Sequence, residues 1–354
     1  MKSFVRACVV VLFLQTALSA QSLNDIRNNL TSLVRVPSVT GYEQPIVDLI
    51  AAQLKQQGLN PQVDRMSDLT VTLGSGKPHR LFIANLDEPG FIVSGITEDG
   101  YLRMQRIGTS KSHAYFDQYF EGQRLTIRTS GGSTVTGVLA IPSTHLARGT
   151  NRAERPFELV DAYVDIGLKS AAEVNDLGIR VLDPISIEKA TTNLAHDHVS
   201  GPFLSDRAGA AVLMSILSTM AKNRINGTVT FAFTTQEHFG RKGLDRMTVL
   251  FDPDEVYVLE PLNSTQVTQN PLVSVDVQAA PAAPAVRKML ERFEGIREAT
   301  LQQVPQGPQW KRGTDVIRIG IPVLFYATPV EVLDLNHLQS AIRFLRTIVQ
   351  SGVS

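Results

Sequence analysis

Cysteine is almost absent: the 354-residue chain has one, Cys8. It sits inside the amino-terminal stretch MKSFVRACVVVLFLQTALSA, residues 1–20, without the small-residue context of a lipoprotein box. A chain cleaved after that stretch holds no cysteine, which excludes disulfides, thiolate catalysis and cysteine metal centres. An excess of charge of either sign is missing too. Lys plus Arg and Asp plus Glu each number 34, and loss of residues 1–20 removes only Lys2 and Arg6, leaving 32 basic against 34 acidic residues. That balance gives no pull toward nucleic acid or anionic lipid. Long apolar runs are also lacking. The stretch Ala7 to Leu14 is far shorter than the roughly 20 residues that span a bilayer, so no membrane anchor is expected. No Walker-type or dinucleotide glycine loop is present, and no G-x-S-x-G elbow.

What is present begins with an address. Lys2 and Arg6 precede an apolar segment, and Ala17 to Ala20 supply small residues for cleavage. The pattern predicts a secretory signal cleaved near Ala20 and an exported, secreted or periplasmic, product. The rest is 43% apolar and 19% charged over the whole chain, enough for one large or two modest globular domains.

Hydrophobic spacing places the elements. Leu23, Ile26, Leu30 and Leu33 recur at helical intervals, and Ile46, Val47, Ile50, Ala51 and Leu54 mark a second helix that stops at Gly58. RLFIANL, residues 80–86, reads as a buried strand. From about Phe91 to Ile187 the rhythm turns to period two, with Asp99-Gly100 and Gly131-Gly132 as turns. Afterwards helices and strands alternate again: a helix over RAGAAVLMSILSTMAKN, strands TVTFAFTT and EVYVLE, a helix near 284–294, a strand PVLFY and a last helix from about Asp334 to Gln350. QAAPAAPA, residues 278–285, reads as a connecting loop. The expected fold class is therefore α/β, a mixed sheet with helices on both faces, carrying an inserted small all-β domain. The expected division is a leader over 1–20, a discontinuous α/β domain over 21–90 and 188–354, and the β insertion over 91–187.

Seven stretches in order, VTGYE at 39–43, ANLDEPGFIV at 84–93, DLGIRVLDPI at 176–185, SDRAG at 205–209, TTQEHFG at 234–240, RGTD at 312–315 and TPVEVLDL at 328–335, resemble the tetrahedral and glutamyl aminopeptidases. These are co-catalytic dizinc exopeptidases of the deblocking aminopeptidase type. The resemblance runs from about Leu33 to Val349, and it implies a zinc-exopeptidase-like sandwich with a barrel-like dimerisation domain. It also implies two divalent ions bridged by an aspartate, with a glutamate as general base.

Transferred onto this chain, the implied pattern breaks at most positions. The general base falls on Glu237, and Asp87 keeps a carboxylate beside the first ligand. The ligand positions fall on Asn85, Ser205, His238, Glu260 and Ala327, of which only His238 and Glu260 are competent ligands. The bridge has become a serine with Asp206 and Arg207 retained beside it. One position per ion then keeps a strong ligand, whereas a catalytic zinc takes about three from the protein. Bound zinc lowers the pKa of water from 15.7 to about 7, roughly 12 kcal/mol of help; a general base alone supplies about 3 to 5 kcal/mol.

The expectation is a non-catalytic homologue with a dismantled dimetal site and no cofactor, a possible peptide ligand in its cleft, and a homo-oligomer of at least two chains. The alternative is an active peptide hydrolase with one remodelled divalent ion, zinc, cobalt or manganese, held by Glu260, His238 and Glu237 or Asp87. Two other groupings stay open. His196, Asp197 and His198 form either a metal cluster or a solvated turn, and Asp315 either belongs to the pocket or closes a turn.

Overall fold

In the computed structural model, residues 23–108, 115–140, 156–220, 225–263, 272–277, 283–301 and 308–351 are described. The expected leader and Cys8 lie outside them, as do residues 278–282 of the Ala/Pro stretch.

The first helix, α1, covers 23–34, and its spaced apolar residues Ile26, Leu30 and Leu33 are all buried. Helix α2, Gln44–Gln56, starts with a proline in its first turn and buries Ile46, Val47, Ile50, Ala51 and Leu54. Its stop is as the spacing predicts. Gly58 has φ +79°, and the Gly58 and Leu59 amides return to the carbonyls of Lys55 and Leu54.

Strands β1 (Gln62–Val63), β2 (Leu69–Gly74) and β3 (His79–Asn85) open the main sheet. The chain then leaves it to build a closed barrel from β4 (Gly90–Ile96), β5 (Leu102–Ile107), β6 (Arg124–Arg128), β7 (Thr134–Ala140), β8 (Tyr163–Asp165) and β9 (Pro184–Ile187), in the order β4-β5-β8-β7-β6-β9. Helix α3, Ala171–Asp176, lies between β8 and β9. The barrel has its own core, including Phe91, Leu125, Leu139 and Ile185. Its two ends meet at the sheet: Lys189, just past β9, places its ammonium 2.6 Å from Glu88 Oε1, just before β4, and Arg207 lies 2.5 Å from the other oxygen of Glu88. All three side chains are buried, so the entry and exit of the barrel share one ionic knot.

After the barrel come β10 (Thr192–Asn193), β11 (His198–Gly201), α4 (Ser205–Met220), β12 (Thr228–Thr234), α5 (Lys242–Leu250), β13 (Glu255–Asn263), β14 (Val273–Asp276), α6 (Ala283–Leu290), β15 (Ile296–Glu298), β16 (Asp315–Val323), β17 (Glu331–Asp334) and α7 (Leu335–Ser351). The main sheet runs β1-β2-β12-β3-β13-β16-β14-β15, with β12, β3, β13 and β16 parallel at its centre. A smaller sheet joins β10, β11 and β17.

Period two along β3 explains the layers. Phe82 and Ala84 face a core that includes Val212 and Leu213 of α4 and Leu345 of α7, while Leu81 and Ile83 face Leu244 and Met247 of α5. Helices therefore cover both faces, as the fold class requires. Phe82 stacks between Phe231 and Tyr257 at centroid separations of 5.4 and 4.8 Å, pinning the register of three adjacent strands.

One expected strand is displaced. PVLFY, 322–326, is not a strand throughout: β16 begins at Asp315 and ends at Val323, burying Ile317 and then every residue from Ile319 to Val323. Phe325 and Ala327 instead adopt positive φ, +56° and +61°, and Phe325 is more than half exposed. The aromatic run imitates a strand core, but the alternating isoleucines before it fill that place.

Candidate active-site cleft

Parallel strands expose their carboxyl ends together, and clefts form there. The register pairs Thr234 of β12 with Asn85 of β3, and β13 delivers Glu260 beside them. A cavity of about 610 Å³ opens at this edge, lined by Asn85, Asp206, Glu237, His238, Arg241 and Glu260 among others.

The turn after β12 is built by backbone conformation. Gln236 and Arg241 have φ of +56° and +60°, and the short 3-10 turn Glu237–Phe239 lies between them. Asp87, fully buried beneath, accepts the Glu237 amide at 2.9 Å and the His238 amide at 3.0 Å, and also the Thr40 hydroxyl. Glu43 accepts the Gln236 amide at 3.0 Å. The carboxylate of Asp87 thus fixes the turn rather than facing the cavity.

Above it, acids and cations are matched one to another. Arg241 sets its Nε 2.8 Å from Glu237 Oε1 and a terminal nitrogen 2.5 Å from Glu260 Oε1. The second oxygen of Glu260 accepts Arg318 Nε at 2.8 Å. His238 Nε2 stands 3.1 Å from Asp206 Oδ1, which also receives the Asn85 amide group at 3.3 Å. Burial raises the Glu237 carboxyl against the lowering pull of Arg241, and with Asp87 adding repulsion its pKa reaches about 7. Burial disfavours the His238 imidazolium, yet the charge and hydrogen bond of Asp206, helped by Asp87 and Glu237, outweigh it and lift the pKa to about 9. The imidazole is thereby favoured as an imidazolium paired with Asp206.

Ser205 begins α4 behind this layer. Its amide and hydroxyl both donate to Glu331, at 2.7 and 2.9 Å, and the Ala327 amide donates to the same carboxylate at 2.6 Å. Burial and the nearby Asp206 charge push the Glu331 carboxyl up to about 8, against those three hydrogen bonds.

The structure thus gathers Asn85, Glu237, His238 and Glu260 around one cavity and joins Ser205 to Ala327 through Glu331. The donors fit a divalent ion poorly: each acid or imidazole at a ligand position already holds a side-chain partner. Among the described residues no three His, Cys, Asp or Glu side chains meet in a group that could hold an ion. Other candidates lie elsewhere. His196 and Asp197 form a turn with φ of +54° and +60°, where Asp197 pairs with Arg27 and His198 Nδ1 lies 2.9 Å from the His196 carbonyl oxygen. Asp315 pairs in register with Glu255 at the opposite end of the strands from Glu260, about 16 Å away at 3.3 Å per residue.

Three functional-site residues escape the sequence reading. Arg241 had a signal, since Glu237 and Arg241 are four apart. Glu331 lies inside the TPVEVLDL stretch but carries no local mark of its burial. Arg318 reaches Glu260 only through the pairing of β13 with β16.

The M42 glutamyl aminopeptidase family model matches residues 68–292. SgcX of Escherichia coli strain K12 is 27% identical over 222 residues, 62% of this chain and 58% of SgcX. The glutamyl aminopeptidase of Lactococcus lactis subsp. cremoris is 26% identical over 240 residues, 67% of this chain and 66% of that enzyme. The chain therefore spans less than two thirds of the length of either relative. The solved Pyrococcus horikoshii TET1 peptidase, which can assemble into a tetrahedron or a large octahedral shell, superposes with a TM-score of 0.79 at 23% identity, covering 92% of this chain and 99% of that one.

Proposed function

Because this chain belongs to the M42 glutamyl aminopeptidase family, we propose that it is an exported homologue whose dimetal centre is dismantled, a non-catalytic protein that retains the cleft for a peptide ligand. The observation that carries this reading is the contact of Ser205 with Glu331. At the position where the family resemblance implies a bridging carboxylate, the chain has a neutral hydroxyl that donates its proton 2.9 Å away to Glu331. A hydroxyl so engaged brings no negative charge to two cations. Ala327 and Asn85, at two further ligand positions, supply no strong ligand either.

The retained residues support holding rather than turnover. Asp87 keeps the 237–238 turn in place through two backbone amides. Glu237, at the general-base position, stays in an ion pair with Arg241, and without an activated water a base has nothing to deprotonate. The cavity also has apolar walls, Ile83, Leu244 and Val258 among them, suited to side chains of an extended peptide. A homo-oligomer of at least two chains, formed through the barrel, completes the proposal; the assembly of the TET1 peptidase, of similar fold, supports it.

The decisive experiment is metal stoichiometry on protein purified from its secreted or periplasmic fraction without added metal, paired with an aminopeptidase assay. The expected result is well under one zinc, cobalt or manganese ion per chain and background hydrolysis. One tightly bound ion, with hydrolysis abolished by Glu237→Gln or His238→Ala, would overturn the reading in favour of a one-metal enzyme.

A further inference from the structure

Arg241 is held where arginine is uncomfortable. Its φ of +60° is in the left-handed region, which a residue with a side chain adopts only when its surroundings dictate it. Here they do: the Arg241 amide donates to the Glu237 carbonyl at 2.8 Å, and the Lys242 and Gly243 amides return to Gln236 and Thr235. That conformation brings the guanidinium between Glu237 and Glu260, at 2.8 and 2.5 Å, with only 11% of its side chain exposed. Arg318 closes the far oxygen of Glu260.

Two acids facing one largely buried cleft, Glu237 from the turn after β12 and Glu260 from β13 on the far side of β3, require a cation between them. A guanidinium suits that place: it stays charged at any physiological pH, and here it donates to Glu260 while standing within ion-pair distance of Glu237. A divalent ion would need the same oxygens.

We propose that the Arg241 guanidinium, set between Glu237 and Glu260, is a built-in counter-cation that stands in place of a divalent ion and keeps one out. The inference rests on the reading of the site as dismantled and adds its agent: loss of ligands explains weak metal affinity, and Arg241 occupies one oxygen each of Glu237 and Glu260. The cleft is self-neutralised, and its acids keep their geometry in metal-free surroundings.

The test titrates manganese(II) into the full mature protein, wild type and Arg241→Ala, following bound ion by electron paramagnetic resonance. Arg241→Ala should bind manganese at least tenfold more tightly than wild type, and methylguanidinium at millimolar concentration should displace the ion. Arg241→Lys, which retains a positive charge, should stay near wild type, and Arg241→Ala with Glu260→Gln should lose the gain. Thermal melting checks the fold; if Arg241→Ala is unstable, restoration of its melting temperature by methylguanidinium is the second readout. A folded Arg241→Ala that gains no manganese, a gain that survives Glu260→Gln, or an unstable variant indifferent to methylguanidinium would overturn the proposal. A wild-type protein that already holds a stoichiometric ion would instead defeat the dismantled-site reading on which it rests.

Discussion

Ser205 and Glu331 meet through two hydrogen bonds, amide and hydroxyl to the two oxygens of one buried carboxyl. This ties the start of α4 to the start of β17, 126 residues later in the chain. Ser205→Ala should keep the amide contact and lose the hydroxyl, destabilising the protein by about 0.5 to 1.5 kcal/mol, the ordinary worth of one hydrogen bond, because the same oxygen of Glu331 keeps the Ala327 amide. Urea denaturation of the variant against wild type measures it. Ser205→Asp alone should be worse, because it places a third acid beside Glu331 and Asp206.

The aromatic stack predicts a larger loss. Phe82→Ala removes the middle ring between Phe231 and Tyr257, and truncation of a fully buried phenylalanine costs about 3 to 5 kcal/mol. A shift in the urea midpoint with an unchanged slope is the expected result.

Asp68 predicts a pH dependence. Its Oδ1 accepts the Thr235 amide at 2.8 Å and the Thr235 hydroxyl at 2.9 Å. Burial dominates those bonds and raises its pKa from 3.8 to about 6. The folded protein therefore holds this proton more tightly than the unfolded chain. The stability so gained is fully present below pH 3.8 and is lost as pH rises through about 6. At roughly 1.4 kcal/mol per unit the loss approaches about 3 kcal/mol. Asp68→Asn, which cannot ionise, should remove that slope: its stability relative to wild type should rise between pH 4 and 7 by up to about that amount, read from denaturation at each pH.

Glu237→Gln predicts the absence of a catalytic effect. The ion pair with Arg241 is lost, but hydrolysis of amino-acid amides should remain at the wild-type background, measured with a fluorogenic substrate panel.

Export and assembly are checked on one sample. Mass spectrometry of the secreted or periplasmic fraction should find a mature start near Gln21, and light scattering should give at least a dimer at micromolar concentration.

Much of the architecture was legible because burial leaves a rhythm. The leucines of α1, the inner face of α2 and the alternating residues of β3 declare their elements. Strands β14, β15 and β17 are three or four residues long, too short for any period to register, and PVLFY shows that an apolar run is no substitute for one. The cleft was legible by position alone: Asn85, Glu237, His238 and Glu260 do converge on it. What the sequence could not show is which charge answers which. Arg318 meets Glu260 across a strand pair, and Glu331 meets Ser205 across the fold, so neither contact leaves a local pattern.

The knot of Glu88, Lys189 and Arg207 has a consequence for how such chains diversify. Residues 89–188 depart and return through a single closed gate. From the viewpoint of the sheet they resemble a loop of negligible span, whose closing entropy is insensitive to what is folded beyond it. A module attached in this way can lengthen, shrink or change its outer surface while the registry of β3 with β12 stays as it was. The outer surface of the barrel and the lining of the cleft are then free to differ independently of one another.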